Sequence, residues 1–388
     1  MSGLKDDEMK KRLLLNYVYY DPVGHVIEAL KFARGLAAAN NDLEIYITLN
    51  KRAPFELTKA CPFIKKVYPI DLYEIMLKGE KANCLKNIPK KWDYIVTNNL
   101  PEEFKDMKRL YSQEKGMLKY VQLSDKIFYS KHKSNIFPET KLPKSLKYRS
   151  THLRFNVPKK AQTFTKRYNH KGEKICILLG GSSGYRYYPS IRTWIKIIIS
   201  IEKEFPDCKI YLTGIKKSKR GGTKTRGYTE SNINNVLNRF KNAIDCYDIG
   251  MWNQIALLEK CDVLIAPHSG FSFLASCVDT PLLEISGGDW SAYLFNHIPF
   301  YCVLPDDKDF PYRGKGKYSK HSGNFSARVG KIPPFEPKKL EKKIPEILEG
   351  IHLLLNKDFT YEKAMKRYKE NIKEANVQRS KLATKEFF

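Results

Sequence analysis

No apolar run in this 388-residue sequence approaches the ~20 residues that a bilayer span needs. The longest are short, such as WIKIIISI at 194–201. The first residues, MSGLKDDEMKKR, hold acids where a secretory signal holds only bases, and no small-residue cleavage site follows. A soluble, cytoplasmic protein is expected from both absences. CxxC pairs are missing too. The eight cysteines (Cys61, Cys84, Cys176, Cys208, Cys246, Cys261, Cys277 and Cys302) are scattered, several of them inside apolar runs. Buried free thiols are expected, not disulfides or zinc. The sequence has neither the GKS or GKT of a Walker loop nor a GxGxxG fingerprint.

Acids are scarce: 42 Asp+Glu stand against 69 Lys+Arg, a net charge of +27. That balance points to anionic partners, whether nucleic acid, a phosphorylated small molecule or an acidic membrane surface. The plainer reading is a lysine-solvated surface. What is present is enough to fold. A hydrophobic fraction of 42% and an aromatic fraction of 12% exclude charge-driven disorder. The length suits two domains of about 150–200 residues each.

Strands and helices alternate along the chain. LLLNYVYY at 13–20 reads as a buried strand, and a helix follows from about Val26, with Val26, Leu30, Ala33 and Ala37 on one face. LEIYITL at 43–49 and WDYIVTN at 92–98 read as strands, and KYVQLS at 119–124 as a weaker one. From 131 to 171 the pattern fades, with twelve Lys/Arg and one acid, Glu139. Alternation then restarts with strands at 174–179, 208–214, AIDCYD, 262–267, 281–286 and 299–304, and helices at 189–204, 229–243, 252–260 and up to about Cys277. The expected fold is α/β: two Rossmann-like domains with parallel sheets facing across a cleft. The domains are placed at 1–160 and 161–355, with a C-terminal helix in 356–388 that packs back on the first domain.

Three strand–turn–helix segments carry candidate chemistry. In YYDPVGHVIEAL, residues 19–30, a turn at the carboxyl end of a strand precedes His25. An imidazole there accepts a proton at neutral pH, and Asp21 is a candidate to orient it. Alternatively, His25 makes only a local hydrogen bond at a helix start. In LLGGSSGYRYYP, residues 178–189, Gly181, Ser182 and Ser183 form a small-residue loop before a helix, and Arg186 adds a bidentate phosphate contact. An ordinary turn is the alternative. In CDVLIAPHSGFSFLASCVDTPLLEI, residues 261–285, His268, Ser269 and Gly270 open a helix after a buried strand, and Phe273 reads as core. Gly214 ends the strand 208–214 at the same type of edge. Trp252 is a candidate for stacking on a base, with core packing as the alternative. Two basic loops follow: 216–226, with six Lys/Arg and no acid, and 306–321. The second contains a DKD at 307–309, a formal match to a metal-binding DxD, but no metal site is expected.

These segments, in this order over about residues 12–300, resemble the heptosyltransferase-like glycosyltransferase family 9 of the GT-B superfamily. YYDPVGHVIEALKFARGLAAANNDLEIYITL resembles the family's opening strand, turn and helix. ELTKACPFIKKVYPID resembles the stretch that leads into its next strand. GGSSGYRYYP resembles its donor-phosphate loop, with Arg186 where a lysine is usual. APHSGFSFLASCVDTPLLEI resembles the segment that lies against the donor. The resemblance implies a nucleotide-diphosphate sugar donor bound by the second domain, an acceptor on the first, and metal-independent transfer with inversion. His25 falls where the family's proposed catalytic aspartate stands, His268 replaces an aspartate and Phe273 a histidine. Ser182, Ser183 and Arg186 map to phosphate contacts, and Ser269 and Gly270 to the donor-facing turn.

The charge would then serve the donor, an anionic acceptor, or peripheral contact with an anionic membrane at its inner face. A GT-B-fold nucleotide-sugar epimerase would use the same residues without a second substrate. A basic nucleic-acid-binding protein is the reading from another class. Nucleic acid is not expected, because no helix-turn-helix, zinc knuckle or RNA-recognition signature is present.

Overall fold

Leucine-rich and β-branched stretches form the strands of two parallel sheets. In the first, β1 (Lys11–Asn16), β2 (Leu43–Asn50), β3 (Ile64–Ile70), β4 (Tyr94–Thr97) and β5 (His132–Asn135) lie in the order β3-β2-β1-β4-β5. The second contains β6 (Lys174–Leu178), β7 (Lys209–Gly214), β8 (Ala243–Tyr247), β9 (Val263–Pro267), β10 (Leu282–Ile285) and β11 (Phe300–Val303), in the order β11-β10-β9-β6-β7-β8. Every strand pairing is parallel. The computed structural model describes residues 10–98, 112–135, 142–181, 189–216, 225, 228–267, 269–285, 297–303 and 340–374. They fall into two units, the first ending at Leu153 and the second beginning at Arg154.

In the first unit, Leu13, Leu14 and Leu15 of β1 are all fully buried, because helices cover both faces of a parallel sheet. Helix α1 (Val23–Ala39) begins ahead of the expected Val26. Helices α2 (Leu72–Lys78) and α3 (Ser112–Ile127) pack on each other and on a core that includes Leu14, Ile75, Trp92, Met117 and Tyr120. Helix α3 overturns the strand expected at 119–124. Met117, Tyr120, Leu123 and Ser124 are buried at helical spacing, and that period prevails over the β propensity of single residues. A Cβ on Gly116 of α3 would lie 2.3 Å from the Leu72 carbonyl oxygen, so the two helices meet backbone to backbone there.

The second unit adds α4 (Lys159–Thr165), α5 (Ile191–Glu204), α6 (Glu230–Arg239), α7 (Met251–Leu258), α8 (Phe273–Ser276), α9 (Ile344–Leu355) and α10 (Tyr361–Glu374). Helix α4 straddles the expected 160/161 boundary. Helix α5 starts two residues after Pro189, behind the N-cap Ser190, whose hydroxyl accepts from Thr193 N at 3.1 Å. The sequence reading did not include α9, although Ile347, Ile351 and Leu354 mark its buried face. The tail at 356–388, expected as a helix packing back on the first domain, is in its described part a helix that packs on β11 of the second unit. Tyr368 of α10 meets Phe300 of β11 at 5.6 Å, and the Arg367 guanidinium lies 5.3 Å from the Tyr301 ring centroid. All eight cysteines are free, and all but Cys84 are buried. No described helix is long and apolar enough to cross a membrane.

Two outcomes follow from the α2–α3 packing. Gly116→Ala forces a Cβ into backbone and is expected to destabilise the fold by about 1–3 kcal/mol, read from the urea midpoint. Glu74 of α2 accepts from Asn83 N at 2.9 Å, from Lys78 Nζ at 3.2 Å and from Cys84 N at 3.4 Å. These bonds, that from Asn83 foremost, hold its carboxyl at about 2, against an ordinary 4.5. A depressed carboxyl stabilises the fold above its unfolded value and loses that contribution as pH falls through the folded one. Glu74→Gln is therefore expected to lower the urea midpoint at pH 7, with the gap to wild type closing between pH 4.5 and about 2.

Candidate active site

In a doubly wound sheet, ligands bind at the carboxyl ends of the strands where the strand order reverses. In the first sheet that point lies between β1 and β4, and in the second between β6 and β9. The first receives the 17–25 segment. The second receives Leu179–Gly181 and Ser269–Gly270.

The 17–25 segment rests on a buried amide. Asn16 Oδ1 accepts from Thr48 Oγ1 at 2.8 Å and from Tyr120 OH at 2.6 Å, and its Nδ2 donates to Ser124 Oγ at 3.1 Å. One side chain thus joins β1, β2 and α3. Next to it, Asn50 Nδ2 donates to the Tyr19 carbonyl at 2.9 Å. His25 sits in the first turn of α1, a third exposed, with its ring edge-on to Tyr19 at 4.2 Å. Its Nδ1 lies 3.6 Å from Glu28 Oε2, an oxygen that also accepts from the Tyr17 hydroxyl.

The carboxylate of Glu28 thus lies beside the His25 ring. Asp21 lies outside the helix and faces Arg52 at 4.0 Å. Position i+3 on a helix stacks beside position i, so the early start of α1 brings Glu28 to His25. A helix beginning at Val26 conceals that relation. A second carboxylate that the sequence did not announce is Glu114, buried at the start of α3. Its Oε1 accepts from Tyr20 OH at 3.3 Å, and its Oε2 has no partner among the described residues.

In the second unit Gly181 is buried at the start of its turn. Ser182, Ser183, Arg186 and His268 lie outside the described residues, as do most of the 216–226 loop and all of 306–321. The two ends of the Gly-Ser turn are tied together. Trp194 of α5, fully buried, donates from Nε1 to Leu179 O at 3.0 Å and to Tyr228 OH at 3.1 Å, and the Tyr228 hydroxyl donates to Pro189 O.

Ser269 is turned inward. Its N–H donates to Ser272 Oγ at 3.3 Å, its own hydroxyl accepts from Ser272 N at 3.4 Å, and its carbonyl accepts from Ser272 Oγ at 2.5 Å. These bonds close the turn, and Gly270 beside it is half-buried. Phe273 is core. Trp252 packs edge-on to Phe155 at 6.0 Å.

Gly214 ends β7 with φ +147, and a Cβ there would meet the Tyr247 ring at 2.5 Å. Its carbonyl accepts from Gln254 Nε2 at 2.6 Å and from Asp248 N at 3.1 Å. Gly214 is thus a close-packing position, and the polar groups are its neighbours. Thr213 Oγ1, Tyr247 OH and Gln254 Oε1 are buried without a partner among the described residues. Burial pushes the Tyr247 phenol up, so it remains a donor.

No protein-family model and no curated protein matches the chain. Solved structures do match it. A glycosyl transferase family 9 structure from Veillonella parvula aligns with a TM-score of 0.56 at 11% identity, over 89% of this chain and 97% of that one. The dodecameric iron-containing heptosyltransferase TibC, in complex with ADP-D-beta-D-heptose, aligns with a TM-score of 0.50 at 11% identity, over 90% and 78%. The dodecameric iron-containing glycosyltransferase TibC from enterotoxigenic E. coli gives 0.50 at 12% identity, over 89% and 77%. The class of fold is GT-B, with two parallel α/β units. Within that class its fold is similar to those of the family 9 glycosyl transferase and the TibC structures.

Trp194→Phe keeps an aromatic ring but removes the N–H that serves Leu179 O, along with some buried volume. The buried carbonyl then loses a donor, and a loss of about 1–3 kcal/mol is expected in a denaturant titration.

Proposed function

We propose that the chain is a glycosyltransferase that moves a sugar from a nucleoside-diphosphate donor to an acceptor hydroxyl. In this reading the transfer is metal-independent and inverts the sugar. The observation that carries it is the Tyr17–Glu28–His25 group at the switch point of the first sheet, beside a strand edge that ends in neutral polar side chains. Asn16, Asn50 and Thr97 close their strands there, and Thr97 Oγ1 donates to Asn135 Oδ1 at 2.6 Å. Asn16 and Asn50 are buried and bonded, so they hold this edge in place under the acceptor instead of touching it.

In the proposed reaction His25 Nε2 takes the acceptor hydroxyl proton. The acceptor oxygen bonds to the anomeric carbon as the bond from that carbon to the phosphate oxygen breaks. The nucleoside diphosphate leaves with the electron pair. Glu28, against Nδ1, stabilises the imidazolium that forms. The leaving diphosphate is assigned to the turn after β6, with Arg186, Ser182 and Ser183 as its contacts and Gly181 allowing close backbone approach. The nucleoside would lie along the β7–β8 edge, where Thr213, Tyr247 and Gln254 offer polar atoms still lacking a partner. The acceptor is an anionic or neutral glycan or metabolite. The TibC structure carries ADP-D-beta-D-heptose, which makes ADP the first nucleotide to try.

The test is a thermal-shift panel of UDP, GDP, ADP, TDP and CMP with their sugars. Turnover is then followed as release of nucleoside diphosphate from the donor that binds. One nucleotide is expected to raise the melting temperature. His25→Ala is expected to lower turnover by roughly 10²–10⁴ with donor affinity kept, and Glu28→Gln by less. No shift with any nucleotide, full turnover in His25→Ala, or an epimerised donor formed without acceptor would each overturn the reading.

A further inference from the structure

Eight lysines of the first unit sit at one edge of its sheet. Because its strands are parallel, their amino-terminal ends share one edge, opposite the edge that bears His25. Lys10 and Lys11 lie at the start of β1, Lys65 and Lys66 at the start of β3, Lys90 and Lys91 just ahead of β4, and Lys131 and Lys133 at β5, all exposed. Lys91 and Tyr129 are bridged in register, which continues the row to the sheet's end.

Few acids answer them. Lys11 pairs with Asp42 at 2.8 Å and Lys65 with Glu44 at 3.1 Å, while Asp93 Oδ2 accepts from Arg12 N at 2.7 Å. Lys10 also acts on the Glu44 carboxylate, while Lys66, Lys90, Lys91, Lys131 and Lys133 form no ion pair with a carboxylate among the described residues. At a strand spacing of about 4.8 Å the edge is about 19 Å wide, so neighbouring charges act within the ~8 Å screening length at physiological salt.

We propose that this amino-terminal edge is a docking surface for an anionic lipid bilayer. Its charges form a row across a sheet edge and do not surround a pocket, which fits an extended anionic plane. They are lysines. The one guanidinium in the row, Arg12, is stacked over Trp92 at 4.8 Å and Tyr46 at 5.5 Å and so is not a free fork for phosphate or base edges. The aromatic exposed at this edge is Tyr129, 58% exposed, with an apolar ring and a polar tip of the kind that settles at headgroup depth. A nucleic-acid strand would call for a series of stacking rings. The docking stands independently of the transferase reading. The strands run roughly 20 Å from this edge to the other, so the face with His25 points away from the bilayer.

The test is co-sedimentation of the full chain with vesicles of phosphatidylcholine alone or mixed with phosphatidylglycerol. Binding to the mixed vesicles, falling as salt rises, is expected. Each lysine near an anionic surface changes partition about fivefold, so Lys66→Gln, Lys90→Gln, Lys91→Gln and Lys131→Gln together are expected to lower it roughly a hundredfold or more. A control removes the same charge from exposed sites of the second unit, by Lys203→Gln, Lys241→Gln, Lys357→Gln and Lys363→Gln, and is expected to stay near wild type. Circular dichroism checks that both variants fold. Equal loss in the two variants would reduce the effect to net charge and overturn the proposal. So would failure of wild type to bind mixed vesicles, or tighter binding to an RNA or DNA strand than to vesicles at equal salt.

Discussion

A parallel sheet fixes one direction for every strand it contains. Each backbone pairing in both units obeys it, so all strand exits in a unit gather at one edge and all entries at the other. The division of labour in the first unit follows from that polarity. The exits end in amides and hydroxyls and carry the turn with His25. The entries carry lysine. Because both faces of the strands must be covered by helices, the edges are the surfaces left for interaction, and the chain has given the two edges opposite chemistries.

What secures the exit edge is a small number of buried polar bonds. Asn16 lies among apolar side chains and is tolerable there only because its amide is used on both sides, by Thr48 and Tyr120 at the oxygen and by Ser124 at the nitrogen. The second unit has its counterpart in Trp194 and Tyr228, which close the turn after β6 by holding Leu179 and Pro189. In the first unit side chains of α3 hold Asn16 at a strand exit, and in the second Trp194 of α5 holds the Leu179 carbonyl just past one.

The fold was legible because its signal is periodic. Strands such as 43–50 and 263–267 stand out as apolar runs, and the restart of alternation after 171 announces a second unit. Where the reading failed, two periods competed. Val121 and Tyr120 favour a strand residue by residue, while Met117, Tyr120 and Ser124 face inward as a helix. At the candidate site the sequence marked His25 but paired it with Asp21, because a turn was taken to extend to Gly24. Helix α1 instead begins at Val23, which puts Glu28 beside the imidazole. Ser269 was marked by its motif as part of a turn, and its bonds to Ser272, which the motif does not spell out, close that turn. Gln254 and Glu114 carry no pattern at all. Their importance is burial, which a sequence does not print.

The Tyr17, Glu28 and His25 side chains come from one strand exit and the first two turns of one helix, within a dozen residues of chain. Such a device has very low contact order. Its parts sit on the end of β1 and the first turns of α1, and the ladder to β2 anchors β1. Contacts this local close only short loops, so little chain entropy is lost in assembling the group.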